Sequence, residues 1–322
     1  MAPQLVFGTA SFGMDKTEFQ DAESVKVLLR TLQELDINRL DTGARYPPLS
    51  PGRSEQLIGE AKELSGSFVV DTKVFTDTSN DGSGDLSREA MRKSVSGSLQ
   101  RLQRQTGVNV LYAHRADPST PLEEQIQAFN EQISQGHCKA WGVSNVPVNV
   151  LEKMLQLCEE NGWQKPSCYQ GDYNLVTRGM ETKLLPLLRA HNISFTCFRA
   201  LASGFLTGNA INNQSSGTRF ANDNPLGKAM LRVYGDEGLN NAMRKFDTAV
   251  KEEGFMPTEV AIRWVYHHSA LDDGDNILLG ASKKAQLTET VGFIRKGPLS
   301  ATLLTLADEI WDAVKETRGE II

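Results

Sequence analysis

The sequence predicts an α/β protein: one (β/α)8 barrel of the TIM type, with a long loop after strand 7. Three features predict it. Eight short stretches rich in β-branched and aromatic residues recur along the chain. The first seven are spaced roughly 25–40 residues apart, the length of one strand-and-helix unit. Helical apolar periodicity fills the gaps between them. Alternating strands and helices argue for a parallel sheet, and eight units argue for closure into a barrel. A chain of 322 residues could hold two domains. Barrels of this class often exceed about 250 residues in one, so residues 1–322 read as a single domain.

Strands are predicted at residues 5–8, 38–40 running into Asp41, 68–72, 108–113, 139–143, 167–170, 194–198 and 277–280. A helix over 23–35 places Val25, Leu28, Leu29, Leu32 and Leu35 on one face. Ser87 predicts the cap of a helix that runs to Gln105. Thr120-Pro121-Leu122-Glu123 reads as an N-cap, a first-turn proline and a capping-box glutamate, with the helix stopping at Gly136. Residues 147–160 put Leu151, Met154, Leu155 and Cys158 on one face and stop near Gly162. Further helices are predicted at 180–190, 259–268, 284–295 and 301–317. The long gap after strand 7 carries a polar stretch, 209–224, expected as a loop over the top of the barrel. An acidic loop at 76–85 follows strand 3. Its Gly82-Ser83-Gly84 lacks the third glycine and the direct strand-to-helix link of a dinucleotide fingerprint.

Composition bounds the function. Hydrophobic residues make up 39%, enough for a sizeable core. The 40 acidic against 34 basic residues leave a net charge of −6, which argues against a nucleic-acid partner. Cys138, Cys158, Cys168 and Cys197 form no C-x-x-C pair and no zinc-type spacing, so they read as reduced, buried thiols, and no metal is expected. Met1-Ala2-Pro3-Gln4-Leu5 has neither the basic nor the apolar region of a signal peptide, and no apolar run approaches the ~18 residues of a membrane span. The expectation is a cytoplasmic protein with no membrane partner.

Barrel enzymes carry their chemistry at the C-terminal ends of the strands. Strand 2 ends in Asp41, with Arg45 and Tyr46 just beyond; strand 3 ends in Lys73, strand 4 in His114, strand 5 in Ser144-Asn145 and strand 6 in Gln170. Taken singly, Asp41 would be a turn cap, Lys73 a solvated surface residue, Tyr46 a loop aromatic and His114 a core histidine. Together they suit one reaction. A phenol near its usual pKa of about 10 transfers protons poorly at neutral pH. A lysine beside it favours the phenolate; a two-unit shift asks for only about 2.7 kcal/mol. Asp41 would hold the lysine, and a neutral histidine would donate to a carbonyl oxygen. Such a set protonates a developing alkoxide, and the hydride must come from a cofactor. Phe12, Met14, Arg45, Arg115, Phe205 and Tyr234 are further pocket-side candidates on loop position alone. Their aromatics and arginines would suit an aromatic or acidic substrate.

These motifs resemble the aldo-keto reductase family over nearly the whole chain. Asp41-Thr42-Gly43-Ala44-Arg45-Tyr46 is similar to its D-T-A-x-x-Y element. The run from His114 through Asp117, Thr120-Pro121 and Gln135-Gly136 to Gly142-Val143-Ser144-Asn145 resembles its H-x-x-D…T-P…G-x-S-N core. Gln170-Gly171-Asp172-Tyr173-Asn174 resembles Q-x-x-Y-N, and Gly280-Ala281-Ser282 with Gln286-Leu287 resembles its phosphate-binding segment. The Tyr173-Asn174-Leu175 context, Leu201–Gly208 and the Trp264…His267-His268 region resemble the aflatoxin-aldehyde reductase branch, fungal relatives included. The resemblance implies Tyr46 as proton donor, tuned by Lys73 and Asp41, with His114 orienting the carbonyl. It implies that Ser144, Asn145 and Gln170 hold the nicotinamide carboxamide, that Phe198 stacks on the ring, and that Leu201, Gly208, Gly280, Ser282 and Gln286 line the rest of the cofactor. Arg219, Lys283 and Lys284 are the cations for a 2′-phosphate, which favours NADPH (NADP+) over NADH. The implied activity is reduction of a small-molecule aldehyde or ketone, in specialised (secondary) metabolism for the fungal relatives. The alternative is a weakly catalytic, cofactor-binding regulatory subunit like the potassium-channel β-subunits. A homodimer is implied by the branch alone. The chain departs from the family pattern at the proline-rich insertion 47–51, at Thr290, and at Arg199-Ala200, where Asn-Pro is commoner.

Overall fold

Eight strands follow from the eight predicted stretches: β1 Gln4–Gly8, β2 Arg39–Asp41, β3 Val69–Lys73, β4 Val108–Ala113, β5 Cys138–Ser144, β6 Cys168–Asp172, β7 Ser194–Phe198 and β8 Asn276–Leu279. The computed structural model describes every residue except 1, 213, 217, 222, 225, 321 and 322. All neighbours pair in parallel, and β8 returns to β1 with Gln4 opposite Asn276, so the sheet closes as a barrel in sequence order. Closure removes every sheet edge.

The barrel interior is not purely apolar. At its N-terminal end, Arg39 Nε donates to Asp71 Oδ2 at 2.7 Å, and Asn109 Nδ2 and the Val110 amide donate to Asp71 Oδ1 at 2.8 and 3.1 Å. Asn276 Nδ2 closes the ring on Thr196 Oγ1 at 3.1 Å. Each buried polar group there has a partner, which is the condition for burying it at all.

Helices cover the outside as the apolar stripes require. Ala22–Glu34 starts at Asp21, whose carboxylate accepts the Ser24 amide at 2.8 Å, and buries Val25, Leu28, Leu29 and Leu32. Ser87 caps Arg88–Leu102; that helix ends three residues before the predicted Gln105, because Gln103 turns left-handed at φ +52°. Gly162 ends Val148–Asn161 in the left-handed region. Two helix expectations need correction. Thr120 does not cap Leu122–Ser134. Its Oγ1 donates to Asp117 Oδ2 at 2.7 Å, because that carboxylate also collects the amides of Gly84, Leu86, Ser119 and Thr120 and outcompetes a helix end. The helix expected at 180–190 splits into a 3₁₀ turn, Gly179–Glu181, and Leu184–Ala190. Pro186 is tolerated in a first turn but blocks a helix continuous from residue 180.

The gap after β7 is more than a loop. Beyond the polar stretch come two helices, Gly227–Tyr234 and Glu237–Glu252. Leu239, Ala242, Met243, Phe246 and Val250 give the second a helical stripe, and Asp236 accepts the Leu239 amide at 2.9 Å. Both signals stand in the sequence. The final helix, Ala301–Arg318, packs on Glu237–Glu252. Before β3 the chain forms a further helix, Arg53–Glu60, which has no counterpart among the predicted helices. All four cysteines are free and buried, and burial pushes the Cys138 thiol up to about 12. Among the described residues no helix is long and apolar enough to cross a membrane, and no cluster of three or more His, Cys, Asp or Glu could hold a metal.

Packing of Arg53–Glu60 against Arg88–Leu102 depends on one small residue. A Cβ on Gly59 would lie 2.0 Å from the Arg101 carbonyl oxygen, whereas one on Gly292, in Lys284–Arg295, would meet nothing within 4 Å. Gly59→Ala is expected to cost about 1–3 kcal/mol of stability. Gly292→Ala should instead gain roughly 0.5–1 kcal/mol. Chemical denaturation of the two variants separates them; equal effects would contradict this packing.

Candidate active site

The strand ends bring Asp41, Lys73, His114, Ser144 and Gln170 to one mouth. β2 and β3 pair with Asp41 opposite Asp71, so Lys73 rises two residues above Asp71 beside the end of β2. Lys73 Nζ donates to Asp41 Oδ1 at 2.5 Å and to the Thr42 carbonyl at 2.9 Å. Asp41 Oδ2 accepts Gln170 Nε2 at 2.8 Å, a bond that spans the barrel from β2 to β6. Lys73 and Asp41 are 1% and 2% exposed, so the surface reading of Lys73 is excluded and the pair is a fully buried one.

Tyr46 hangs over this pair. Lys73 Nζ is 5.2 Å from the centre of its ring and 5.6 Å from that of Tyr112 beneath. The Tyr46 hydroxyl is 3.2 Å from His114 Nε2, with the rings edge to face at 89°. The protonation states follow from these surroundings. Burial drives His114 down to about 3, helped by Lys73, Arg45 and Arg115, so its imidazole is neutral at pH 7. Burial pulls Lys73 down, but Asp41, then Tyr46, outweighs it and the ammonium ends above its usual range. Tyr46 corrects the sequence-based expectation. Its desolvation exceeds the pull of Lys73, Asp41 opposes that pull, and the phenol sits above its usual value rather than below. The site therefore holds a protonated phenol, a neutral imidazole and a paired ammonium.

The residues assigned to a cofactor fall into two groups. Ser144 is buried at the end of β5; Asn145, at φ +53°, donates to Ser144 Oγ at 3.0 Å and to the His114 carbonyl at 3.1 Å. Phe198 and Leu201 are half-buried at and just past the end of β7. Gly208 is left-handed at φ +79°, and a Cβ there would lie 2.7 Å from Asp247 Oδ1. The second group lies past β8. Gln286 Oε1 accepts the Ser282 amide and hydroxyl, both at 3.0 Å, and the Lys283 amide at 3.1 Å, so it caps its own helix. Gly280, Lys283 and Lys284 are exposed around it. Arg219 does not share these surroundings. Its charge is coupled to Arg199, Tyr46 and Tyr234, and among the described residues no carboxylate pairs with it. Of the pocket-side candidates, Phe12 packs on Phe19 at 5.6 Å and Phe205 stacks on Tyr234 at 5.4 Å. Both are core residues. Arg115 pins the 76–85 loop, with Nε on Thr76 Oγ1 at 2.8 Å.

Several neighbours escaped the sequence. Asp172, on the same face of β6 as Gln170, holds Arg199 at 2.8 Å; the two-residue spacing was the available signal. Ser203 Oγ and Tyr234 OH are buried close together, yet neither makes a well-formed hydrogen bond. Glu18 accepts the Lys284 amide at 2.8 Å, a contact between distant segments with no local signature.

A model of the aldo/keto reductase family matches residues 4–312. An oxidoreductase, sirO, of Leptosphaeria maculans is 34% identical over 98% of this chain and 95% of its own length. Aflatoxin B1 aldehyde reductase member 2 of Rattus norvegicus is 30% identical over 98% of this chain and 86% of its own. A putative voltage-gated potassium channel subunit beta of Schizosaccharomyces pombe is 31% identical over 91% and 86%.

The buried pair also carries stability. Asp41→Ala leaves a buried ammonium without its anion and is expected to cost about 3–5 kcal/mol. A melting curve matching that of the unaltered protein would contradict the pairing.

Proposed function

The chain belongs to the aldo/keto reductase family, and from that membership we propose that it is an NADPH-dependent reductase of an aldehyde or ketone, with Tyr46 as the proton donor. The observation that carries this reading is the Tyr46 hydroxyl itself, 3.2 Å from a neutral His114 and above the Lys73–Asp41 pair. A carbonyl oxygen placed between Tyr46 and His114 would meet two donors, provided His114 carries its proton on Nε2. Tyr46 gives its proton to that oxygen as the carbonyl carbon gains hydride. The phenolate left behind is stabilised by Lys73, and Asp41 keeps Lys73 charged and in place. The phenol regains its proton from solvent.

The donor set fits a nicotinamide dinucleotide. Arg219 is a cation without a carboxylate among the described residues, and Ser203 Oγ is a buried polar atom without a partner. Both suit a phosphate of the cofactor. Ser144, Asn145 and Gln170 would hold the carboxamide, Phe198 would stack on the ring, and Leu201, Gly208 and Gly280 would line the path between. Ser282, Lys283, Lys284 and Gln286 would take the adenosine end. When bound, the reduced nicotinamide supplies the hydride. The wider reading is a cytoplasmic, single-domain enzyme of specialised metabolism that acts on a small-molecule carbonyl as a homodimer; it rests on the resemblance to fungal relatives. The relative named as a channel subunit supports the second reading, a cofactor-binding regulatory protein. Tight NADPH binding without turnover on a broad carbonyl panel would favour it.

Tyr46→Phe is expected to lower kcat for reduction by about 10²–10⁴-fold while fluorescence titration shows NADPH binding unchanged. Because Tyr46 lies above its usual value, it stays protonated through neutral pH. Reduction should be flat there and fall only as strongly alkaline pH removes the proton; alcohol oxidation should rise over the same range. A falling reduction limb near neutral pH would contradict this assignment.

Glu18 bears on cofactor choice. Its carboxylate sits on the first amide of Lys284–Arg295, the end where a 2′-phosphate would meet Lys283 and Lys284. Like charges at one helix end repel. Glu18→Gln is therefore expected to tighten NADPH several-fold, about 1 kcal/mol, and to leave NADH unchanged, read by titration with each.

A further inference from the structure

Arg199 occupies an unfavourable backbone position. It is the first residue past β7, at φ +56°, a region that asparagine enters readily and arginine seldom does. Holding such a residue there is unfavourable. The side chain is nonetheless fixed. Its guanidinium donates to Asp172 Oδ2 at 2.8 Å and lies 5.4 Å from the centre of the Phe198 ring. Asp172 is 8% exposed and its other oxygen accepts Asn174 Nδ2 at 2.9 Å, so the anchor is itself anchored.

This fixed cation faces the reacting end of the mouth. Gln170 reaches Asp41 across the barrel, and Asp172, two residues further up β6, pairs in register with Phe198. Arg199, the first residue beyond β7, therefore stands across the mouth from the loop that carries Tyr46. The charged and titratable groups facing the Tyr46 hydroxyl are Asp41, Arg45, Lys73, His114, Arg199 and Arg219. Arg199 is one of the cations that draw the phenol down.

We propose that Arg199, held on Asp172, is a second charge-setting residue for Tyr46: a positioning residue that supports the phenolate left after proton transfer and so sets the balance between reduction and oxidation. Lys73 does this from below, through a pair that is fully buried. Arg199 does it from the opposite wall, through a pair that is partly open to solvent, with a side chain 36% exposed. Asp172 moderates the effect, because it offsets most of the charge it holds. The proposal rests on the reading of Tyr46 as proton donor and acceptor.

The test compares Arg199→Asn, Arg199→Lys and Asp172→Asn with the unaltered protein. Asparagine suits the left-handed backbone, but Arg199→Asn also leaves the buried Asp172 carboxylate without its cation, so some loss of stability is expected and the pH dependence is the readout that decides. Its alkaline limb of reduction should move to higher pH, and alcohol oxidation at a fixed pH below the limb should fall several-fold. Arg199→Lys should restore the limb, and Asp172→Asn should move it the other way. A role confined to holding the loop would scale rates evenly at all pH values, with no limb displaced; that result overturns the proposal. A readout without turnover is the ultraviolet phenolate titration that the protein shows and Tyr46→Phe lacks, which should shift with the limb. If Tyr46→Phe proves as active as the unaltered protein, the reading of Tyr46 fails. If Tyr46→Phe is inactive and Arg199→Asn moves neither limb nor titration, the role of Arg199 alone fails.

Discussion

A lysine and an aspartate, both nearly out of contact with water and 2.5 Å apart, hold the centre of this molecule together. Neither charge would survive burial alone. Asp41 uses one oxygen on Lys73 and the other on Gln170, and Lys73 donates a second bond to the Thr42 carbonyl. The pair therefore needs β2, β3 and β6 in register at once, and only a closed barrel supplies that. Its consequence is chemical. A fixed ammonium under the Tyr46 ring counters part of the cost of burying that phenol, while the same burial strips His114 of its proton.

The same rule recurs where the chain does not react. Glu55 is fully buried and takes Arg101 through two nitrogens, at 2.9 and 2.7 Å, as well as the Thr72 hydroxyl. Glu259 takes Arg263 at 2.7 Å and Lys296 at 2.8 Å. Arg318, 5% exposed, ends the last helix on the carbonyls of Val176 and Val233 and on Thr177 Oγ1. That one side chain ties the C-terminal helix to the loop after β6 and to the helix Gly227–Tyr234. Arg219 differs from Arg318: it is a half-buried cation near the mouth that, among the described residues, has neither a carboxylate nor a carbonyl to answer it.

The loops over the mouth differ in how they are held. The 76–85 loop is closed on itself by Asp85, which accepts Thr76 Oγ1 at 2.6 Å and the Asp77 amide at 3.0 Å, and Arg115 clamps it from β4. The polar stretch after β7 reaches the β1 loop through Lys16 and Asp223 at 2.6 Å, an exposed pair of little energetic weight. The first loop is built as a wall, and the second is held only lightly at its far side.

What could be read from the sequence was whatever depends on short-range pattern. The period of β-rich and helical stretches determined eight strands and a barrel. The rule that barrel chemistry sits at strand ends then placed Asp41, Tyr46, Lys73, His114, Ser144 and Gln170 together. Local competition defeated finer readings: Thr120 had a stronger partner in Asp117, and Pro186 divided a helix. The helix Glu237–Glu252 carried its stripe and cap in plain view and was hidden only by the polar run before it. Tertiary structure alone decided the rest. Whether Tyr46 lies above or below its usual pKa depends on desolvation against Lys73, and desolvation is set by every segment that closes over a residue. Arg199 on Asp172 and Glu18 on Lys284 are likewise contacts between segments far apart in the chain, whose charges have no local periodicity to announce them.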